Sequence, residues 1–259
     1  MLKYRTVNIV ATLLILIAAV ANYIIGSTPW TIGVIAICWL LLTVIGSFHV
    51  RWNYHINHYN KNGLTKRDIV SITFDDGPNP DFTPQIISIL KKYKAKATFF
   101  CVGEQVKKHP EILKKIISEG HTIGNHTYSH AKNFGFFSTN KVVDELNRTN
   151  TIVKEITGLN MKMYRPVYGV TNPHIKKALK TTKHHPVGWS IRSLDTTGIS
   201  SNAVYSRITT RINKGDIILL HDTNLKTIEV LERLLLFLTQ KGIQSVSVDS
   251  LLKINAYDN

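Results

Sequence analysis

The sequence predicts an α/β domain, with about seven parallel strands in a sheet or barrel and helices outside, preceded by a membrane-spanning helical hairpin. Short apolar runs alternate with segments of helical periodicity along residues 69–248, and this alternation predicts the α/β domain. Two long stretches near the N-terminus carry no charged residue, and they predict the hairpin. In a parallel barrel, the side chains that do chemistry lie where the strands end.

The net charge of the chain indicates which classes of binding partner to expect. The net charge is +15, and residues 51–259 carry thirty lysines and arginines against seventeen acidic residues. Such a domain is attracted to nucleic acid, lipid headgroups or acidic glycans, although a solubilising surface explains the charge equally well. Lysines do not alternate with aromatic residues as in a single-strand groove, so nucleic acid is not the expected partner. The two cysteines, Cys38 and Cys101, are not expected to pair or to bind metal.

The first element is the hairpin, assigned to residues 1–50. Residues 7–25 and 31–48 are the uncharged stretches, and a helix needs about 17–25 residues to cross the hydrocarbon core. A turn at Gly26–Trp30 with an interfacial tryptophan separates them, so we expect a two-pass anchor in contact with membrane lipid. The alternative is a signal peptide cleaved near Ala19-Val20-Ala21, which would leave the second stretch as a single anchor.

Positive residues flank the hairpin on both sides and do not occur in its short loop. They are Lys3 and Arg5 before it, and Arg51, Lys61, Lys66 and Arg67 after it. Loops rich in lysine and arginine stay on the cytoplasmic side of a membrane. The large domain is therefore expected in the cytoplasm.

The remaining elements follow from hydrophobic periodicity. Residues 51–67 are polar and aromatic, and we expect them to link the hairpin to a domain at 68–259. Helices are expected after Pro84, after Pro110, over residues 142–156 and over residues 230–238. Apolar runs predict strands at 69–74, 97–102, 121–124, 162–165, 185–189, 216–220 and 244–248.

Two motifs at strand ends can form a metal site. Asp75 and Asp76 end the first strand, and His126 and His130 follow the third. On one helical turn, residues i and i+4 share a face and can hold one metal, although a surface or core pair is the usual explanation of such histidines. One carboxylate and two imidazoles would leave a position for water, as in catalytic zinc sites, and cobalt, nickel, manganese or iron also fit. The second carboxylate could then accept a proton from that water.

Two further strand ends carry candidate residues. His221 ends the strand at 216–220 and can protonate a leaving amine, whereas Asp222 can orient a neighbour or cap the next helix. Arg165 begins the tight turn to Gly169 and can hold a buried carboxylate in its ionised form. A backbone N–H in that turn can stabilise an oxyanion. Taken singly, each of these two motifs is better explained by a structural role.

Together these motifs resemble the polysaccharide deacetylases of the NodB-homology type, carbohydrate esterase family four. T-F-D-D-G-P, H-T-Y-S-H, R-P-V-Y-G and L-L-H-D match four of the five family motifs in order, and the resemblance covers residues 68–254. It implies a distorted (β/α) barrel that hydrolyses the N-acetyl group of a carbohydrate. It also implies one divalent metal ion, with zinc expected and cobalt, nickel or manganese as alternatives.

The resemblance also implies a role for each matching residue. Asp75 resembles the general base, and His221 resembles the general acid. Arg165 resembles the residue that orients Asp75, and the N–H of Tyr168 resembles the oxyanion donor. Three residues resemble the metal ligands: Asp76, His126 and His130.

The fifth family motif departs from the usual pattern. Many relatives carry an acidic segment that ends in Asp-Trp, but here Arg192 stands where an acid is frequent and Thr196 replaces the tryptophan. Asp195 remains as a candidate partner of Arg165. With Tyr168, Arg192 is a candidate substrate-binding residue that can contact a phosphate or an acidic sugar, or it makes a structural ion pair.

The sequence therefore leaves two functions open. One is a membrane-anchored carbohydrate N-deacetylase, whose substrate is a glycan or a lipid-linked or nucleotide-linked sugar. The other is a membrane-tethered protein that binds a glycan or a lipid-linked sugar without catalysis.

Overall fold

The computed structural model describes residues 3–26, 28 and 30–258, and it begins with two long helices that pack against each other. They are α1 (Tyr4–Ile25) and α2 (Trp30–Phe48). Trp39 Nε1 donates a hydrogen bond to Asn8 Oδ1 at 2.7 Å between the two helices. Both helices are long and apolar enough to cross a membrane, and a signal sequence near an N-terminus has the same properties. In the predicted turn, Ser27 and Pro29 lie outside the described residues.

The segment between the hairpin and the domain packs against both. The buried ring of Tyr54 lies on Gly46, where an added Cβ would come within 2.5 Å of the ring. The backbone N–H of Thr171 in the domain donates to the carbonyl of Ser47 at 2.8 Å. Tyr59 also forms a β-bridge with Val187. Tyr54 and Tyr59 of this segment therefore contact the hairpin and the domain, respectively.

Parallel strands form the centre of the domain. The described strands are β1 (Ile69–Asp75), β2 (Ala97–Cys101), β3 (Thr122–Asn125), β4 (Asn160–Met161), β5 (Met163–Tyr164), β6 (His185–Pro186), β7 (Ile191–Arg192), β8 (Ile217–His221), β9 (Gln244–Ser245) and β10 (Tyr257–Asp258). The order is β6-β5-β3-β2-β1-β8-β7, with β9 paired to the start of β1 and a separate antiparallel pair β4-β10. The order ends at two strands that are consecutive in the chain, so the sheet curls into an incomplete barrel. This architecture confirms the predicted fold class.

Helices cover the outside of the sheet. In the described part of the chain they are α3 (Thr83–Lys92), α4 (Gly103–Lys108), α5 (Pro110–Ser118), α6 (Thr139–Thr157), α7 (Pro173–Thr182), α8 (Ser201–Thr209), α9 (Leu225–Gln240) and α10 (Val248–Leu252). The predicted helices are confirmed as α3, α5, α6 and α9. Periodicity did not indicate α7 and α8 because each buries only a short apolar stripe, such as Val204 and Ile208 in α8.

The described residues form three buried apolar clusters, two of which lie on opposite sides of the curled sheet, while the third packs around α6 and α7. The largest cluster lies between the strands and the outer helices, where Ile86 of α3 and Leu234 of α9 are fully buried. The second cluster fills the inside of the barrel and includes Phe100, Trp189 and Leu219. Packing on both faces holds the parallel strands in register, so their carboxyl ends meet at one end of the barrel.

Candidate active site

The four predicted motifs meet at the carboxyl end of the barrel. In the parallel register Asp75 of β1 lies beside His221 of β8, and Asn125 of β3 lies beside Tyr164 of β5. The residues that follow β3 and β5 are His126 and Arg165. Strand register therefore collects side chains that are far apart in the sequence. A cavity of about 260 Å³ is lined by Asp75, Asp76, His126, His130, Tyr168, Trp189, Arg192, Thr196 and His221, with Pro166, Gly169 and Leu219.

A carboxylate and two imidazoles form a compact cluster in this cavity. Asp76 Oδ1 lies 3.1 Å from His130 Nε2 and 3.4 Å from His126 Nε2. One ligand atom from each of the three residues lies within 4.8 Å of the others. Burial disfavours a carboxylate, but the two histidines hold the pKa of Asp76 well below its usual range. The cluster is therefore ready to bind a cation.

The neighbours of the two histidines suit this role. His126 Nδ1 lies 3.0 Å from the carbonyl oxygen of Arg165. Because a carbonyl only accepts, this bond places the proton on Nδ1, and Nε2 of the neutral ring keeps its lone pair for a metal. His130 Nδ1 lies 3.3 Å from the hydroxyl oxygen of Tyr168. The residues present therefore fit a three-ligand site of the zinc type.

The expected helical turn at His126 and His130 is wrong. Residues 126–130 form an irregular loop, in which Thr127 has φ 66° and His130 has φ 48°. Glu145 of α6, which is 4% exposed, accepts the backbone N–H groups of Tyr128 at 2.9 Å and Ser129 at 2.8 Å. Because this carboxylate satisfies the loop backbone, the histidines converge without a helix.

Sequence reasoning missed Glu145. It also accepts the hydroxyl of Ser129 at 2.9 Å, so it makes three hydrogen bonds to the loop that carries the histidines. The available signal was an acid among the apolar residues Val142 and Leu146 on the buried side of α6. A carboxylate at such a position needs polar partners, and here the loop supplies them.

The second aspartate of the pair has a different neighbour. Arg165 is fully buried, and its Nη1 donates to Asp75 Oδ1 at 2.9 Å and to Thr73 Oγ1 at 2.5 Å. Its Nη2 donates to the carbonyl of Gly188 at 2.8 Å, and its guanidinium lies over the ring of Phe100. Arg165 is therefore held on several sides and orients the Asp75 carboxylate.

Asp195 does not pair with Arg165, so that expectation is wrong. Its Oδ1 lies 2.8 Å from His221 Nδ1, and its Oδ2 accepts the backbone N–H of the same histidine at 2.8 Å. Hydroxyls of Ser193 and Thr227 donate to the same carboxylate. Leu194 has φ 66° and turns the chain so that Asp195 lies beneath the end of β8. Burial opposes a charged ring, but the bond to Asp195 raises the pKa of His221 to about 9.

Asp222 lies under the turn that follows the paired carboxylates. It is buried and accepts the hydroxyl of Thr83, and burial raises its pKa to about 7. Asn224, and not Asp222, caps α9, with Oδ1 accepting the N–H of Thr227 at 3.0 Å. A Cβ at Gly77 would lie 2.0 Å from Asp222 Oδ2, so this position requires glycine. Asp222 therefore supports the turn beside Asp76.

The rim of the cavity contains both predicted substrate-binding residues. Tyr168 is half-exposed and has φ 55°. Arg192 of β7 is exposed, and its carbonyl accepts a hydrogen bond from Arg207 Nε at 2.7 Å. Thr196 lines the cavity where the resemblance would place a tryptophan. The short threonine makes this wall more open than a tryptophan would.

Comparison with known proteins identifies a consistent set of relatives. The family described as "Polysaccharide deacetylase" matches residues 62–187. A peptidoglycan-N-acetylglucosamine deacetylase of Bacillus cereus is 33% identical over 199 residues, covering 75% of this chain and 72% of the relative. The peptidoglycan-N-acetylmuramic acid deacetylase PdaC of Bacillus subtilis is 32% identical over 72% of this chain, but the match covers 39% of that longer protein.

A solved structure agrees with these relatives. The Bc1960 peptidoglycan N-acetylglucosamine deacetylase superposes with a TM-score of 0.71 at 32% identity. The superposition covers 77% of this chain and 94% of that one. The fold and the sequence therefore agree on the same group of proteins.

Proposed function

This chain belongs to the polysaccharide deacetylase family, and we propose that it is a membrane-anchored, metal-dependent hydrolase that removes the N-acetyl group of a carbohydrate. One observation carries the proposal: Asp75, the Asp76-His126-His130 cluster and His221 all open into one cavity. The named relatives act on N-acetylated peptidoglycan sugars, which supports an N-acetylated sugar as the substrate.

In this proposal, Asp76, His126 and His130 hold one divalent ion, with zinc expected from the ligand set. When bound, such an ion polarises the acetyl carbonyl and lowers the pKa of a water molecule. Nitrogen and oxygen ligands also accept cobalt, nickel or manganese.

The other residues of the cavity accept and donate the protons of the reaction. Asp75, oriented by Arg165, accepts a proton from the water as its oxygen attacks the acetyl carbon. His221 is held at Nδ1 by Asp195, which leaves Nε2 to give its proton to the sugar nitrogen as the C–N bond breaks. The N–H of Tyr168 stabilises the negative oxygen that forms in between. The products are acetate and a free amine on the sugar.

The same proposal assigns the parts of the chain. Residues 68–259 form the catalytic domain, residues 51–67 connect it to the anchor, and α1 and α2 hold it at a membrane. The apolar side chains of both helices are mostly exposed, and lipid would cover that surface.

The test is acetate release by the full chain in detergent. N-acetylated oligosaccharides and lipid-linked N-acetylated sugars are offered before and after chelation, and again after addition of zinc, cobalt, nickel or manganese. Chelation should abolish acetate release, and the native metal should restore it. Asp75→Asn should bind the same amount of metal and lose at least about 10²-fold in kcat, because it removes the general base.

The matched control is Asp81→Asn, which removes an exposed carboxylate in the loop after β1. It should keep wild-type metal content and activity. A chain that binds metal but releases acetate from none of these sugars would contradict the proposal and favour the binding protein.

A further inference from the structure

A second, larger cavity adjoins the active site. Its volume is about 830 Å³, and it lies between the end of α2, strand β7 and the end of α8. Trp189 and Arg192 line both cavities, so the two share a wall. The proposed deacetylation uses only the smaller one, which leaves the larger one without a role.

The larger cavity is strongly basic. Its lining includes five cationic side chains: Arg51, Lys61, Arg192, Arg207 and Arg211. None of the five makes an ion pair within the described residues. The one acid in the lining, Asp216, is buried and accepts the backbone N–H of Asn213 at 2.8 Å. Five cationic side chains thus share a single carboxylate in the lining, and the cavity keeps an excess of positive charge.

The arginines are held close enough to affect one another. Arg207 Nε donates to the carbonyl of Arg192, and Arg51 Nη1 donates to the carbonyl of Ser190 at 3.3 Å. Partial burial and the charges of Arg211, Arg51 and Arg192 lower the pKa of Arg207. An anion among them would relieve this repulsion and accept hydrogen bonds from their guanidinium groups.

The position of the cavity favours a lipid as the carrier of the anion. Phe48, His49 and Val50 form part of its lining, and Phe48 is the last residue of α2. Part of the cavity therefore lies where this apolar helix ends. A hydrocarbon chain attached to an anion in the cavity can continue along the exposed apolar side chains of α2, which a soluble nucleotide would not use.

We propose that this basic cavity binds the phosphate or diphosphate of a membrane lipid that carries the N-acetylated sugar. The sugar then extends past Trp189 and Arg192 to the cluster at Asp76. This assignment rests on the proposed deacetylase function and specifies its substrate class. It also gives a role to Arg192, which stands where family members frequently have an acid.

Direct binding tests the assignment without requiring turnover. The full chain with Asp75→Asn is placed in nanodiscs of neutral phosphatidylcholine. The probes are farnesyl-diphospho-N-acetylglucosamine and the neutral farnesyl N-acetylglucosaminide. The diphosphate probe should bind at least about tenfold more tightly, since a charged hydrogen bond contributes enough for a tenfold change. This preference should decrease as salt is added.

Charge-removing variants show which residues produce the preference. Arg207→Gln with Arg211→Gln should bring the ratio of the two dissociation constants close to one. Arg51→Gln, from a different segment, should reduce the same ratio and provides a second test if the double variant does not fold. The matched control is Lys177→Gln with Lys180→Gln, two exposed charges on α7, which should leave the ratio at its wild-type value.

Four results would overturn the assignment. They are equal affinity for the two probes, a preference that persists in both sets of cavity variants, equally tight binding of a uridine-diphosphate-linked sugar, and full displacement of the diphosphate probe by phosphatidylglycerol. The third would assign the cavity to a nucleotide, and the fourth would make it a docking site for anionic lipid. Failure of the deacetylase proposal has a different readout, because the wild-type chain would then release no acetate.

Discussion

Two adjacent carboxylates at the end of β1 have different surroundings. Asp75 is the last residue of the strand and faces Arg165, whereas Asp76 faces His126 and His130. Successive side chains on a strand point to opposite faces, and Asp76 has φ 82°, which turns it further from its neighbour. The separation lets one carboxylate bind a cation while the other stays beside the buried arginine.

For a single residue, the clearest prediction concerns Asp195→Asn. His221 must be protonated to act as an acid, and its pKa of about 9 keeps it so at neutral pH. Wild-type activity should therefore persist from neutral pH to about pH 9 and fall above it. Asparagine cannot stabilise the charged ring, so the pKa of His221 should decrease. The alkaline limb of kcat/KM should move to lower pH, and kcat at pH 7 should fall about 10–10²-fold.

The measurement is a pH profile of acetate release for the wild type and the variant. Ser193→Ala is the control, because it removes the two hydrogen bonds between the Ser193 hydroxyl and Asp195 but keeps the carboxylate charge. Its alkaline limb should stay near that of the wild type. An unchanged limb in Asp195→Asn would show that this carboxylate does not set the pKa of His221.

Among the elements, α6 supports the loop that carries the histidines. The spacing of His126 and His130 suggested a helical turn, but Glu145 provides acceptors for the loop backbone that a helix would provide internally. The spacing therefore correctly indicated that His126 and His130 lie close together. The helical backbone that it suggested is wrong, because the two histidines lie on an irregular loop. The reason is that a tertiary contact replaced a local hydrogen-bond pattern.

Glu145→Gln tests this support. The neutral amide has one acceptor oxygen and no charge, so it cannot reproduce all three hydrogen bonds to the loop. We expect metal affinity to fall about 10–100-fold, as for other partners that orient metal ligands. Competition with a metal indicator measures the change, and Glu155→Gln, an exposed acid on the same helix, is the control. If Glu145→Gln bound metal with wild-type affinity, Glu145 would not be needed to position the loop that carries His126 and His130.

For the whole molecule, the hairpin and the domain are joined at the end of α2. Tyr54 packs on Gly46, and the carbonyl of Ser47 accepts a hydrogen bond from Thr171 of the domain. If α2 crosses a membrane, these contacts place the basic cavity and the catalytic cavity close to its surface. Under the proposed lipid-linked substrate, the hairpin would then contribute to substrate selection as well as to location.

The side of the membrane is a further prediction. Lysine and arginine flank the hairpin on both sides, so both flanks and the domain are expected in the cytoplasm. A green fluorescent protein fused to the C-terminus should fluoresce, and alkaline phosphatase fused there should be inactive. As a control, phosphatase fused after Thr28, between the two helices, should be active. An active phosphatase at the C-terminus would place the domain outside.

The sequence by itself determined the fold class, the family and the residues of the main motifs. Apolar periodicity is a local property, so it located strands such as β1 and β8 and the long helices α6 and α9. It did not locate α7 and α8, because their buried stripes are too short to produce a clear period.

Only the tertiary structure decided which partners meet. Asp195 contacts His221, not Arg165, and Glu145 supports a loop that precedes it in the chain. The basic cavity is built from residues that are distant in the sequence, from Arg51 to Arg211. Periodicity along the chain records which side chains are buried. Strand register and chain turns set the distances between residues far apart in sequence, and those distances exist only in the folded molecule.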